Sequence, residues 1–99
     1  YFTSITQIKQ ANRDGGYHFF SKDTMKFFNS KVHRGVYGGR YFITSEQHVS
    51  LRGVSYDRKY TIRKAHKDGA IDTVDTFQQF GTLQQARDHI KYEILGEEY

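Results

Sequence analysis

The side chains in this sequence best suited to hold a metal or move a proton are five histidines, His18, His33, His48, His66 and His89. No two of them stand three or four residues apart, and there is no cysteine, so a zinc site would have to complete its shell with carboxylates. They are read as surface or half-buried residues, and neither a metal nor a cofactor is expected. Nucleophilic chemistry has no better footing, because the chain lacks a Gly-x-Ser-x-Gly elbow. Asp72 and Asp75 are close in sequence but would point to opposite faces of a strand, which rules them out as an acid–base pair. No catalytic residue is therefore assigned, and a non-enzymatic chain is expected.

Two other patterns carry chemistry. Gly35-Val36-Tyr37-Gly38-Gly39-Arg40 is glycine-rich but lacks the Gly-Lys-Ser/Thr ending of a phosphate loop, so it reads as a turn or bulge. Around and beyond it, cations interleave with tyrosines: Lys31, Arg34, Tyr37, Arg40, Tyr41, Arg52, Tyr56, Arg58, Lys59, Arg63 and Lys64. Nucleic-acid surfaces combine cations for phosphates with rings for base stacking, whereas a plain sheet face can carry the same residues merely as its solvated side. The charge is polarised along the chain. Residues 31–67 hold nine Lys/Arg against two Asp/Glu, and residues 68–99 hold two against seven, within a total of +4. A basic middle suits an acidic partner, unless the acidic end, with Glu93, Glu97 and Glu98, folds back to neutralise it.

These residues need elements to position them. The clearest is a β-hairpin over residues 58–77. A three-residue loop, Lys67-Asp68-Gly69, fits a type I turn closed by a left-handed glycine. That register sets Ile62 opposite Val74, Tyr60 opposite Thr76, and Lys64 opposite Asp72 as an ion pair, and turns Lys59, Thr61 and Arg63 to the other face. A two-residue loop, Asp68-Gly69, is the alternative and would gather Tyr60, Ile62, Ile71 and Phe77 instead. In both, Lys59 and Arg63 point away from the core. Reversing their charges, Arg63→Glu with Lys59→Glu, is then expected to abolish binding while leaving the fold intact.

Helices flank this hairpin. Ser4 and Gln7 form a capping box ahead of an Ile5/Ile8/Ala11 stripe that ends at Gly15-Gly16, and Thr82 and Gln85 form another ahead of Leu83, Ala86, Ile90 and Ile94, ended by Gly96. Between them, Tyr17–Phe20 reads as a short strand or an extended entry to the core. Ser21 caps a second helix whose face takes Met25, Phe28 and Val32 as far as Gly35. A strand follows from Gly35, then a polar loop from His48 to Asp57. The expected architecture is α+β, a three-stranded antiparallel sheet packed on helices that cover one face, in the order α-(β)-α-β-β-β-α. Ninety-nine residues make this a single domain, 1–99, with a modest core rich in its eight Tyr and eight Phe. No apolar run is long enough to cross a bilayer and no signal-peptide pattern is present. Tyr1 is no initiator, so a methionine or a longer segment is expected to have preceded it.

Three resemblances follow. The α-β-β-β-α order from Ser21 resembles the double-stranded RNA-binding domain, although Leu83–Asp88 stands where that family starts its last helix with lysines. The stretch from Arg40 to Tyr92 looks like the AP2 and integrase arm-binding domains, which implies contacts to DNA from Arg40, Lys59 and Arg63. Phe19–Phe28 followed by Tyr37–Glu46 is similar to a family of small bacteriophage and prophage proteins without a settled activity, which implies an accessory protein acting in the cytoplasm of a bacterial host. The expected role is binding of a host protein or protein–nucleic acid complex, such as a nucleic-acid-handling or defence complex that the chain inhibits, with direct DNA or RNA binding as the alternative. The residues assigned to the partner are Arg40, Lys59, Arg63, Tyr37, Arg34 and Lys64.

Overall fold

The computed structural model describes residues 2–27, 29–48, 51–53 and 57–96. Phe28, Tyr56, Glu97 and Glu98, each named above with an expected role, lie outside the described residues. Helix α1 spans Ile5–Asp14 and α2 spans Lys22–Phe27. Strands β1 (Lys31–Val32), β2 (Tyr41–Glu46), β3 (Lys59–Ala65) and β4 (Ile71–Thr73) follow, and α3 (Leu83–Asp88) runs on into a π-helical segment, His89–Ile94. The strands pair as an antiparallel meander in the order β1-β2-β3-β4.

The α+β class therefore holds, with four strands rather than three. The extra strand comes from the second helix, which ends at Phe27 instead of running on to Gly35. Asn29 takes φ 49°, and the Ser30 N–H donates to the Met25 carbonyl at 2.7 Å, closing the last turn. An asparagine tolerates this left-handed geometry better than most residues. The chain then turns so that Lys31 and Val32 pair with Ser45 and Thr44. Nor do Phe19 and Phe20 form a strand; they occupy a turn and pack their rings edge-on to each other, 4.8 Å between centroids.

Both faces of the sheet are covered, not one. Successive residues of β2 point opposite ways, so Ile43 joins Ile62, Ala86 and Ile90 beneath α3, while Phe42 joins Ile8 and Ala65 beneath α1. Every residue from Phe42 to Glu46 is buried, as befits a central strand with helices on either side. Each fully buried isoleucine contributes about 1.5–3 kcal/mol relative to exposure, so the two clusters supply the core between them.

The hairpin turns as its sequence predicts. Gly69 N–H donates to the His66 carbonyl at 3.0 Å, Gly69 has φ 94°, and Lys64 stands opposite Asp72. The ladder stops early, however. Ile62 still accepts from the Val74 N–H at 2.9 Å, but Asp75 and Gln78 adopt positive φ, the chain bulges outward, and Tyr60 bridges to Phe80 rather than Thr76. Asp72 makes its close contact to His66, 2.5 Å from Nε2.

Helix α1 clamps the hairpin tip. Buried Asn12 donates through Nδ2 to the Gly69 carbonyl at 2.7 Å and accepts the Phe19 N–H at 3.2 Å. A Cβ on Gly69 would lie 2.1 Å from the Ala11 carbonyl oxygen, and one on Gly15 would lie 2.3 Å from that of Asp68. Glycine at both positions is what lets the two backbones meet.

Candidate functional site

Thr44 and Glu46 on β2, and Thr61 and Arg63 on β3, point to the same face of the sheet, beside the part that α1 covers. The Glu46 carboxylate is 1% exposed and is held from three directions. Thr44 Oγ1 donates to Oε1 at 2.7 Å, Thr61 Oγ1 donates to Oε2 at 3.0 Å, and Arg63 Nη2 donates to Oε1 at 2.9 Å. Arg63, its side chain 12% exposed, also donates through Nε to Thr44 Oγ1 at 3.0 Å and through Nη1 to Thr73 Oγ1. Its guanidinium lies 5.3 Å from the ring centroids of both Phe19 and Phe77. Gln78 closes the network, its N–H donating to Thr61 Oγ1 at 2.8 Å. Among the described residues no buried polar side-chain atom is left without a partner, as a buried ion pair requires.

Above this network lies a cleft of about 510 Å³ between α2 and the sheet, walled by Phe19, Met25, Phe27 and Phe77, with Arg63 and Glu46 also lining it. Asp23 of α2 stands exposed at its rim, and Phe27 is 78% exposed.

The six residues assigned from sequence do not share one surface. Lys59, Thr61 and Arg63 do face the same way, as expected, but Thr61 is buried and Arg63 belongs to the internal network, so the expectation that Arg63 points into solvent is corrected. What neutralises it is Glu46 from the adjacent strand. Charge reversal at Arg63 would set two carboxylates together in a buried site and is no neutral surface probe. Lys59 is exposed but begins β3, while Arg40 accepts the N–H of Ala65 at that strand's other end; six residues of strand separate them by about 20 Å. Arg34 is exposed after β1. Tyr37 packs against the Ile43 cluster and accepts from Arg87 Nε at 3.1 Å. The glycine-rich stretch is a turn, as predicted: Tyr37 bridges Tyr41, and Gly38 and Gly39 take φ 60° and 77°.

Three cations and a histidine do converge. Arg40, Lys64, His66 and Lys67 line a recess of about 120 Å³ at the tip end of the hairpin. Lys67 and His66 went unassigned because they come beside Arg40 only through the pairing of β3 with the preceding strand, where the Ala65 N–H donates to the Arg40 carbonyl, a contact distant in sequence. Thr44, Glu46 and Phe77 were also missed, although Glu46 is one of only two acids among residues 31–67, a signal for a specific pairing.

Among the described residues no three His, Cys, Asp or Glu side chains come together to hold a metal, and no helix is long and apolar enough to cross a membrane. Neither a curated protein nor a solved structure matches the chain. A family model does, over residues 4–91, and on that extent the chain belongs to the family of unknown function DUF7447.

Proposed function

We propose that the chain is a non-enzymatic, phage-type accessory protein that works in the cytoplasm of a bacterial host by binding a host macromolecule. The partner is a protein or protein–nucleic acid complex of nucleic-acid handling or defence, which binding inhibits. The observation that carries this reading is the convergence of Arg40, Lys64, His66 and Lys67 on one recess. Cations gathered this closely steer and hold an acidic surface. Because helices cover both sheet faces, the contact surface moves from the face to the hairpin end of the sheet, where Arg40 and Lys64 remain as contacts. Lys59, Arg34 and Tyr37 lie elsewhere, and Arg63 supports the fold.

The test is affinity capture from a bacterial lysate with and without nuclease. A partner retained after nuclease treatment, and lost on Arg40→Glu with Lys64→Glu, is the expected result; unchanged capture by that variant would overturn the assignment.

A second reading, direct DNA or RNA binding, is favoured by the small volume of the recess, which suits a phosphate group better than a side chain. It predicts steep loss of affinity with salt. If neither a labelled duplex nor a labelled single strand binds at low salt, this second reading is excluded.

A further inference from the structure

We infer that the pocket between α1, the turn at residues 17–21 and α2 binds a phosphate monoester carried on a small apolar body. It shares no residue with the basic recess at the hairpin end, so it stands apart from the function proposed above.

The pocket measures about 290 Å³, at the small end of the range for ligand sites. Lys9 and Arg13 of α1 and His18 of the following turn line it, and among the described residues no Asp or Glu does. A concave surface lined by one sign of charge focuses the field and draws in counter-charge. Lys9 and Arg13 stand four residues apart and share a helix face, where like charges repel. Among the described residues none of the three basic groups is in an ion pair. The carboxylates of Asp14 and Asp68 are engaged elsewhere, accepting from Gln10 Nε2 at 2.9 Å and from the Tyr17 hydroxyl at 2.8 Å. A bound dianion would relieve the repulsion that the fold leaves in place.

The three groups come from two elements that a buried side chain fixes together. Asn12, 2% exposed, accepts the Phe19 N–H at 3.2 Å through Oδ1, and its carbonyl accepts the Tyr17 N–H at 3.0 Å. The His18 carbonyl in turn accepts from the Ser21 N–H at 3.1 Å and from Thr24 Oγ1 at 3.0 Å. The backbone that carries His18 is therefore set against α1 before any ligand arrives. Lys9 is drawn over the pocket as well, its Nζ 5.7 Å from the Phe20 ring centroid. Two permanent cations and a histidine able to take up a proton match a phosphate monoester, with nearly two negative charges, better than a carboxylate with one. Half-buried Phe20, Met25 and Val32 supply the apolar floor against which the body of the ester rests.

Phenyl phosphate, inorganic phosphate and benzyl alcohol are each titrated into isotopically labelled protein at about pH 7.5, where a monoester carries close to two charges. The amide resonances of Lys9, Arg13 and His18 report binding. Phenyl phosphate should bind about threefold or more tightly than inorganic phosphate, and about tenfold or more tightly than benzyl alcohol. Lys9→Gln and Arg13→Gln should each weaken phenyl phosphate about threefold or more. Lys91→Gln removes the same charge on the α3 side of the sheet and should leave the affinity unchanged. All three lysine and arginine positions are exposed, so these substitutions spare the fold. An equal loss with Lys91→Gln reduces the binding to unspecific charge attraction and overturns the inference. So does benzyl alcohol or inorganic phosphate binding as tightly as phenyl phosphate, or no response to phenyl phosphate at about 50 mM, well above the weakest affinity expected of a built site.

Discussion

The two faces of the sheet solve burial in different ways. Under α3 the core contact is apolar, with Ile43 and Ile62 of the sheet meeting Ala86 and Ile90. Towards α1 and α2 the face changes character along its length. Phe42 and Ala65 meet Ile8, but beside them Thr44, Glu46, Thr61 and Arg63 form a charged network beneath an open cleft. A buried ion pair adds little net stability over apolar residues of the same volume. An ionic network where the opposite face uses isoleucine is thus the part of the fold hardest to explain by stability alone.

The contrast can be broken most sharply at the network. Glu46→Ala leaves Arg63 without its buried partner and should cost about 3–5 kcal/mol in urea unfolding, and Arg63→Glu should cost at least as much. Replacing both, Glu46→Met with Arg63→Met, should recover most of that loss, because the penalty lies in the orphaned charge. On the apolar face Ile90→Ala should cost about 2–5 kcal/mol, with no second-site change of charge able to restore it. At the α1 clamp, Gly69→Ala meets both positive φ and the Ala11 carbonyl, so a loss of about 2 kcal/mol or more is expected from thermal unfolding.

The smallest effect concerns His33, whose ring lies 5.4 Å from that of Tyr60 on the α3 side and whose Nε2 is 2.9 Å from Ser45 Oγ. Burial, then the nearby Arg58 and Arg87, hold its pKa below the ordinary value of 6.5. The unfolded chain therefore takes up the proton first, and stability should fall as pH drops below about 6.5 towards the lower folded value. A His33→Gln variant should show a flatter stability profile between pH 7 and 5.

What was legible in the sequence was local. Both N-caps formed: Ser4 Oγ accepts from the Gln7 N–H and Thr82 Oγ1 from the Gln85 N–H, while each glutamine side chain reaches one residue past the cap, to the N–H of Thr3 and of Gly81, instead of closing the box on the cap itself. The Lys67-Asp68-Gly69 turn was readable because its conformation depends on a single glycine. The α3 stripe of Ala86 and Ile90 was readable from helical period, even though the helix widens into a π turn at His89. What escaped depends on partners distant in sequence. Alternation correctly set Arg63 beside Lys59 and Thr61, but says nothing of what stands over that face. Only the pairing of β2 with β3 brings Glu46 to Arg63, and only the turn at Asn29 frees Lys31 and Val32 to make a fourth strand. The candidate site was displaced for the same reason: cations from two successive strands were read as one surface, although Lys59 and Arg40 lie at opposite ends of β3.

That displacement gives the most direct test of the functional account. Capture from nuclease-treated bacterial lysate is measured for the unmodified chain, for Arg40→Glu with Lys64→Glu, and for Lys59→Glu, each first shown to unfold at the same urea concentration. The account predicts that the hairpin-end variant loses the partner while Lys59→Glu retains it. Loss with Lys59→Glu and retention with the hairpin-end variant would contradict it.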